Sequence, residues 1–170
     1  KDRWFIARAD SCKLPDGRII EPYYVLEFPN WCNVVLVTED EKIVFVRQYR
    51  HAIQQTTLEL PGGVIDSNEN PETAAIREVQ EETGYQITEI QLLYKTAPNP
   101  ATNTNFAYFY LAKASSKITN QQFDEFEDIE VVCFTKAEVL NMIHNSQLSH
   151  GVQIGAIYAA FEQLGWFKMI

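Results

Sequence analysis

The chain has 170 residues, 46% of them hydrophobic and 12% aromatic, which predicts one globular domain with a proper core. A formal net charge of −9 disfavours a nucleic-acid backbone or an anionic membrane as binding partner. It leaves a phosphate-bearing substrate open, because a bound metal ion reverses the sign of the local field.

The cysteines Cys12, Cys32 and Cys133 are odd in number and widely spaced, and no two form a CxxC pair. This pattern predicts reduced thiols in a cytoplasmic protein rather than a disulfide framework. No apolar run approaches the length of a membrane span, and the first residues show no signal-peptide pattern.

The first third of the chain is predicted to form hairpins. Runs rich in β-branched and aromatic residues predict strands at 3–12, 18–28, 33–38, 43–48 and 58–60. The first two are joined by Leu-Pro-Asp-Gly at 14–17, a strong turn signal, and the next two by a charged turn at 39–42. The strand at 58–60 leads into a Pro-Gly-Gly turn.

Helices and strands are mixed in the rest of the chain. Strands are predicted at 87–95, 106–112 and 131–134, and helices at 70–84, 136–146 and 152–164. The segment 96–105, with two prolines and three asparagines, is predicted to be a loop. The last helix has an apolar stripe of Ile154, Ile157, Tyr158, Phe161 and Leu164. Hairpin strands with few helices indicate an α+β layered fold rather than βαβ units.

The helix at 70–84 has both of its ends marked. Asn70 is a favourable N-cap residue, and Pro71 suits the first helical position, where its missing N–H costs nothing. Gly84 is free to adopt the left-handed conformation that ends a helix.

One face of this helix carries a cluster of carboxylates, from Glu78, Glu81 and Glu82. Like charges at this spacing repel, and Arg77, four residues before Glu81, offsets only part of the charge. A hard divalent cation, which prefers oxygen ligands, would balance the rest. The competing interpretation is a solvated acidic face.

The surrounding residues favour the metal interpretation. Segment 63–85 resembles the Nudix box, Gly-x5-Glu-x7-Arg-Glu-aliphatic-x-Glu-Glu-x-Gly-aliphatic, at Gly63, Glu69, Arg77, Glu78, Val79, Glu81, Glu82 and Gly84. It departs from the pattern at the last position, where Tyr85 replaces an aliphatic residue and is expected to pack into the core. On these positions the sequence is identified as a member of the Nudix superfamily.

This resemblance implies a fold and a chemistry. The fold would be an α/β/α sandwich around a mixed β-sheet, with an N-terminal hairpin extension at 1–30 and the hydrolase domain at 31–170. Nudix proteins typically hydrolyse a nucleoside diphosphate linked to another moiety, with Mg²⁺ or Mn²⁺ as cofactor. Clustered metal ions neutralise the phosphoryl charge and activate the attacking water.

The resemblance also implies roles for residues of the box and its flanks. The metal ligands would be Glu78, Glu82 and the carbonyl of Gly62, with Glu81 a catalytic residue that is a ligand or a near neighbour. Structural support would come from Gly63, Glu69, Arg77 and Gly84.

A second acidic segment at 125–131 resembles the acidic loop of the ADP-ribose pyrophosphatase and nucleotide-sugar hydrolase branch. Matched to that pattern, Glu125 would be the base that activates water and Glu127 a metal ligand, although which glutamate has which role stays open. By composition alone, a solvated loop is the competing interpretation.

The flanking segment 16–65 resembles the same branch and implies a substrate site. Arg50 would contact the substrate phosphates, and Glu59 would reach the metal cluster or support the loop. Trp31 would stack on adenine, although a tryptophan is more often a core or interface residue. Pro100 stands fifteen positions beyond Tyr85, where a proline goes with ADP-ribose in this branch.

The predicted function is cleavage of ADP-ribose or a related nucleoside diphosphate sugar to a nucleoside monophosphate and a sugar phosphate. The alternatives are dinucleoside polyphosphates, NADH or oxidised nucleotides as substrates, and a non-catalytic sensor of nucleotide sugars, which the complete acidic motif opposes.

Relatives in this branch are usually homodimers that exchange the N-terminal hairpin, with Tyr23, Tyr24 and Phe28 at the expected interface.

Overall fold

The structure, a computed structural model, describes residues 5–118 and 129–166. Within these ranges the chain forms eight strands and three helices. In chain order they are β1 (Ile6–Lys13), β2 (Ile19–Glu27), β3 (Trp31–Val37), β4 (Lys42–Arg50), β5 (Gln55–Glu59), α1 (Pro71–Thr83), β6 (Tyr85–Thr96), β7 (Ala107–Ile118), β8 (Glu130–Thr135), α2 (Lys136–His144) and α3 (Gly151–Gln163).

The predicted strands and helices are therefore present, and their ends differ by a few residues. The largest difference is at β7, which was predicted to end at residue 112 and continues to Ile118. Its long partner explains the extension, because β6 pairs antiparallel with β7 from Thr96↔Ala107 as far as Tyr85↔Ile118. Pairing between distant strands cannot be read from either strand alone.

Strand pairing gives one mixed sheet and one separate hairpin. The main sheet has the order β5-β4-β3-β7-β6, and β8 pairs with β4. β3 and β7 run parallel, whereas the other paired strands are antiparallel. β1 and β2 form a two-stranded antiparallel sheet of their own.

Helices cover both faces of the main sheet, as the side-chain alternation of β3 shows. Val34 and Leu36 belong to a buried cluster with Ala75 and Val79 of α1. Val35 belongs to a second cluster with residues of α2 and α3. Successive side chains of a strand point to opposite faces, so a run of apolar residues in β3 predicts burial on both sides. The α/β/α sandwich predicted from the sequence is confirmed.

The ends of α1 have the predicted caps. The Asn70 Oδ1 accepts a hydrogen bond from the Glu72 amide at 2.9 Å. Gly84 is in the left-handed conformation, with φ of 72°, and its amide donates to the Gln80 carbonyl. Tyr85 follows at once, half-buried against the cluster on this face of the sheet, in accord with the expected core packing.

The apolar stripe predicted for α3 wrongly includes one residue. Ile157 and Phe161 are fully buried, but Tyr158 is 36% exposed. Successive helical residues are turned by about 100°, which places Tyr158 at the margin of the stripe and away from the sheet.

The β1–β2 hairpin is bonded to the loop at 97–105. The Leu26 amide donates to the Thr102 carbonyl at 2.8 Å, and the Leu26 carbonyl accepts from the Thr104 amide at 3.1 Å. The Tyr23 hydroxyl donates to the Ala101 carbonyl at 2.7 Å. These bonds link the hairpin to the loop that follows β6.

The three cysteines are free thiols. Burial raises the pKa of the Cys32 thiol to about 12, which keeps it neutral and unreactive near pH 7. No helix in the described ranges is long and apolar enough to cross a membrane.

Candidate active site

A cleft of about 390 Å³ opens between the glycine turn, the acidic face of α1 and the start of α3. It brings together residues predicted from separate parts of the sequence: Trp31, Arg50, Glu59, Gly62, Gly63, Arg77, Glu78, Glu81 and Glu82. It is also lined by residues that the sequence did not predict as part of the site: Cys32, Asn33, Gln48, Val64, His150 and Gln153.

Both glycines of the turn are required by close packing. Gly62 has φ of 146°, and a Cβ there would lie 2.1 Å from the carbonyl oxygen of Cys32. A Cβ on Gly63 would lie 2.6 Å from the carboxylate of Glu78. The turn therefore fits between β3 and α1 only without side chains.

Hydrogen bonds fix the turn on both sides. The amides of Cys32 and Val34 in β3 donate to the carbonyls of Gly63 and Pro61, each at 2.9 Å. On the other side, the Gly62 amide donates to Oε2 of Glu82 at 2.8 Å. Glu82 is 6% exposed, so this bond holds a buried carboxylate at the floor of the cleft.

Arg77 gathers the remaining carboxylates of the motif. Its guanidinium donates to both oxygens of Glu69 at 3.0 and 2.9 Å, and to Glu78 and Glu81 at 2.9 Å each. It also donates to the carbonyl of Val64 at 3.2 Å. The bonds to the carboxylates raise the pKa of Arg77, and the bond to Glu69 contributes most. The same bond lowers the pKa of Glu69.

The acidic end of the cleft suits a hard cation by the chemistry of its donors. Glu78, Glu81 and Glu82 line it together, with backbone carbonyls of the turn beside them, and all of these are oxygen donors of the kind that Mg²⁺ and Mn²⁺ prefer. Among the residues that the structure describes, no group of three or more acidic, histidine or cysteine side chains is arranged to hold a metal. In this arrangement the carboxylates of Glu78 and Glu81 bond to Arg77.

The cleft is also lined by an ion pair between Arg50 and Glu59. The guanidinium donates through Nε and Nη2 to the two carboxylate oxygens at 2.7 and 2.8 Å. The Thr57 hydroxyl donates to Oε1 of Glu59 at 2.7 Å. Burial alone would raise the pKa of Glu59, but the hydrogen bonds from Arg50 and Thr57 outweigh it and lower the pKa.

Arg50 forms an ion pair, as a surface arginine would, and also lines the cleft, as a phosphate-binding residue would. The Arg50 side chain is 46% exposed, whereas that of Glu59 is 8% exposed. A fork-to-carboxylate pair with one buried member is held more firmly than a pair between two exposed side chains. Arg50 therefore lies in the cleft in a fixed orientation, with Glu59 as its support.

Trp31 lies between the core and the cleft. Its ring contacts Phe109 on the core side and His150 on the cleft side, both edge to face at 5.6 Å between ring centroids. Burial lowers the pKa of His150, so its imidazole is neutral at pH 7. His150 immediately precedes α3, and the sequence offered no signal for its place beside Trp31.

Not every predicted site residue lies at the cleft. Within the described part of the chain, Pro100 is in the loop that bonds to the hairpin and does not line the cleft. Glu69 reaches the site through Arg77, and Gly84 contributes by ending α1. Glu125 and Glu127 lie outside the described residues.

Comparison with known proteins agrees with this geometry. Residues 29–150 match the NUDIX domain family, which is most of the chain. The chain belongs to the Nudix family. Residues 1–26 match a second family, the nucleoside diphosphate sugar hydrolase N-terminal domain. The predicted membership of the Nudix superfamily is thereby confirmed, and the protein is a Nudix pyrophosphohydrolase.

Several known proteins are similar to the chain in sequence. It is 30% identical to the methanol dehydrogenase activator of Bacillus methanolicus, over 83% of this chain and 76% of that protein. It is 27% identical to the ADP-ribose pyrophosphatase of Bacillus subtilis strain 168, over 82% of this chain and 75% of that protein. It is 35% identical to the GDP-mannose pyrophosphatase of Yersinia pestis strain Pestoides F, over 57% of this chain and 50% of that protein.

A solved structure has the same fold. The crystal structure of an ADP compounds hydrolase aligns with a TM-score of 0.83, covering 96% of this chain and 88% of its own, at 21% sequence identity. At that identity the alignment is a statement about the fold alone.

The ion pair in this Nudix cleft predicts a pH dependence of stability. Because the folded-state pKa of Glu59 is below its ordinary value of 4.5, the pair stabilises the protein above that pH and loses its contribution as the pH falls through the lower value. We expect the Glu59→Gln variant to show a flatter decline in the free energy of unfolding from about pH 5 to about pH 3.

Urea unfolding at several pH values measures this difference. Glu162→Gln, at an exposed position near the end of α3, is the control and should follow the wild-type curve. Parallel curves for Glu59→Gln and wild type would contradict the prediction.

Proposed function

We propose that the protein is a metal-dependent hydrolase that cleaves the pyrophosphate of a nucleoside diphosphate sugar, with ADP-ribose as the first candidate. The observation that carries the proposal is that Glu78, Glu81 and Glu82 line the same cleft as Arg50. The match of residues 1–26 and the relatives named ADP-ribose and GDP-mannose pyrophosphatase support this substrate class.

Glu78, Glu82 and the Gly62 carbonyl are the proposed ligands for Mg²⁺ or Mn²⁺, with Glu127 completing the set and Glu81 beside them. Since β3 already uses the carbonyls of Pro61 and Gly63, the Gly62 carbonyl is the one we assign in this turn. When bound, the metal would neutralise the phosphoryl oxygens and make water a better nucleophile.

The protein's own residues would hold and orient the reactants. Arg50, held by Glu59, binds phosphate oxygens, and the Trp31 ring offers a stacking surface for the base. The Gly62 amide fixes one oxygen of Glu82 and leaves the carboxylate oriented toward the cleft. Glu125 or Glu127 accepts the proton of the attacking water.

The reaction adds one water across the P–O–P bridge. The water oxygen bonds to one phosphorus, the bridging oxygen leaves with the other, and the water proton passes to the base. The products are a nucleoside monophosphate and a sugar phosphate. The same chemistry would cut dinucleoside polyphosphates, NADH or oxidised nucleotides, which remain the second class of substrate.

A substrate panel with Mg²⁺ or Mn²⁺ tests the proposed function. We expect release of a nucleoside monophosphate from ADP-ribose or GDP-mannose, and loss of that activity when a chelator is added. Cleavage of dinucleoside polyphosphates alone would favour the second class of substrate. A protein that binds nucleotide sugars and cleaves nothing in the panel would be a sensor, and the proposed function would be wrong.

Glu82→Gln is the sharpest single change at the proposed metal site. Glutamine keeps an acceptor for the Gly62 amide but removes the charge, so we expect the fold to persist and kcat to fall by about a hundredfold or more. Glu72→Gln, in the exposed first turn of the same helix, is the control and should keep wild-type turnover. Wild-type rates for Glu82→Gln on every cleaved diphosphate would show that the acidic helix is wrongly assigned.

We also infer a cytoplasmic homodimer that exchanges its N-terminal hairpin. Free thiols support the location. Support for the dimer comes from the exposed apolar side chains of the hairpin, with Ile19 at 62% and Tyr24 at 66% exposure. We expect a dimeric mass by light scattering at micromolar concentration, and a monomeric mass for Tyr24→Lys. A monomeric wild type would contradict the dimer and leave the hydrolase assignment standing.

A further inference from the structure

A buried pair of amide side chains in the lining of the cleft joins two layers of the fold. Asn33 of β3 and Gln153 of α3 are 5% and 4% exposed and 120 positions apart. The Gln153 Nε2 donates to the Asn33 Oδ1 at 3.3 Å. Buried amides are costly unless their donors and acceptors are bonded, so the other bonds of this pair show what it holds.

Those bonds lead to the residue that begins the glycine turn. The Gln153 Oε1 accepts from the Leu60 amide at 2.8 Å, and the Asn33 Nδ2 donates to the Leu60 carbonyl at 3.0 Å. The same Nδ2 lies 3.5 Å from the Pro61 carbonyl. Two side chains from different layers therefore bond the amide and the carbonyl of one residue.

Leu60 needs these bonds because the sheet ends before it. The pairing of β5 with β4 runs from Arg50↔Gln55 to Val46↔Glu59, so Leu60 is the first residue beyond that ladder. Leu60 is 1% exposed, where an unbonded amide would be unfavourable. Gln153 supplies the acceptor that a neighbouring strand would otherwise provide.

The position of this residue matters at the cleft. Two positions later, the Gly62 amide bonds to Glu82, and the turn has no room to move toward β3 or α1. A shift at Leu60 would carry the Gly62 amide away from its carboxylate.

We propose that Gln153, together with Asn33, is a positioning residue that holds the glycine turn against Glu82 from the opposite layer of the fold. A glutamine suits this role because its amide must accept from Leu60 and donate to Asn33 at the same time. A glutamate could only accept, and a methionine of similar length would do neither. The catalytic consequence rests on the proposed function, whereas the positioning of the turn does not.

Three variants separate positioning from general stability. Gln153→Met removes both bonds, and Gln153→Glu keeps the acceptor for Leu60 but loses the donor to Asn33. Gln163→Met is the matched control, because it makes the same change at an exposed position of α3, where the glutamine accepts from Gln91. Gln153→Glu carries the test if Gln153→Met does not fold.

The first measurement is amide hydrogen exchange of Gly62 by NMR, without added metal. We expect exchange to be faster by about tenfold or more in Gln153→Met, by less in Gln153→Glu, and unchanged in Gln163→Met. The second is kcat and KM on a diphosphate that the wild type cleaves, well below each variant's unfolding temperature. We expect kcat to fall about 10- to 100-fold with little change in KM, because the turn is displaced while the substrate contacts remain.

A lower unfolding temperature with unchanged Gly62 exchange and unchanged kcat would make Gln153 a merely stabilising residue and would overturn the proposal. If the wild type cleaves no diphosphate, the proposed function fails, and the Gly62 exchange rate still decides the positioning role. Faster exchange with unchanged kcat would overturn the catalytic consequence.

Discussion

The site depends on one short contact, in which a glycine turn lies directly against the acidic face of α1. The Gly62 amide bonds to Glu82 at 2.8 Å, and a Cβ on Gly63 would strike the carboxylate of Glu78. A shift of the turn or the helix by about an ångström would break the bond between the Gly62 amide and Glu82. The caps at Asn70 and Gly84 fix where α1 begins and ends, and apolar contacts of Ala75 and Val79 with the sheet fix its rotation. The positions of the carboxylates therefore depend on both the caps and the core packing of α1.

Electrostatics explains why this arrangement is also poised to bind a cation. Three glutamates on one helical face repel one another, which costs folding free energy. Arg77 reduces that cost by bonding to Glu78 and Glu81 and by linking them to Glu69 across the loop. One guanidinium carries one positive charge against the three negative charges of the glutamates, and the Gly62 amide donates to Glu82. Under the proposed function, a divalent ion would balance the surplus negative charge of these glutamates.

Sequence patterns predicted what is encoded locally and missed what the topology brings together. Hairpins, helix caps and the Nudix box lie within short segments, and the structure contains each of those in its described ranges. The extension of β7 to Ile118 depends on its pairing with β6, and the exposure of Tyr158 on which side of α3 faces the sheet. Gln153 could have been noticed as a polar residue beside the apolar stripe of α3, but its bond to Leu60, 93 positions away, could not. His150 offered no signal, because its place beside Trp31 follows from where α3 packs on the sheet.

The same division runs through the cleft and bears on substrate choice. Its acidic end comes from one continuous segment, so the chemistry can be read from the sequence. The rest of its lining includes Trp31 of β3, Arg50 of β4, Glu59 of β5 and His150 before α3, each of which could change without altering the motif. Under the proposed function, a substitution at one of these residues would change which substrate is bound and leave the acidic residues intact, because specificity is a difference between affinities. The relatives of this chain carry different substrate names, ADP-ribose in one and GDP-mannose in another, as such a division predicts.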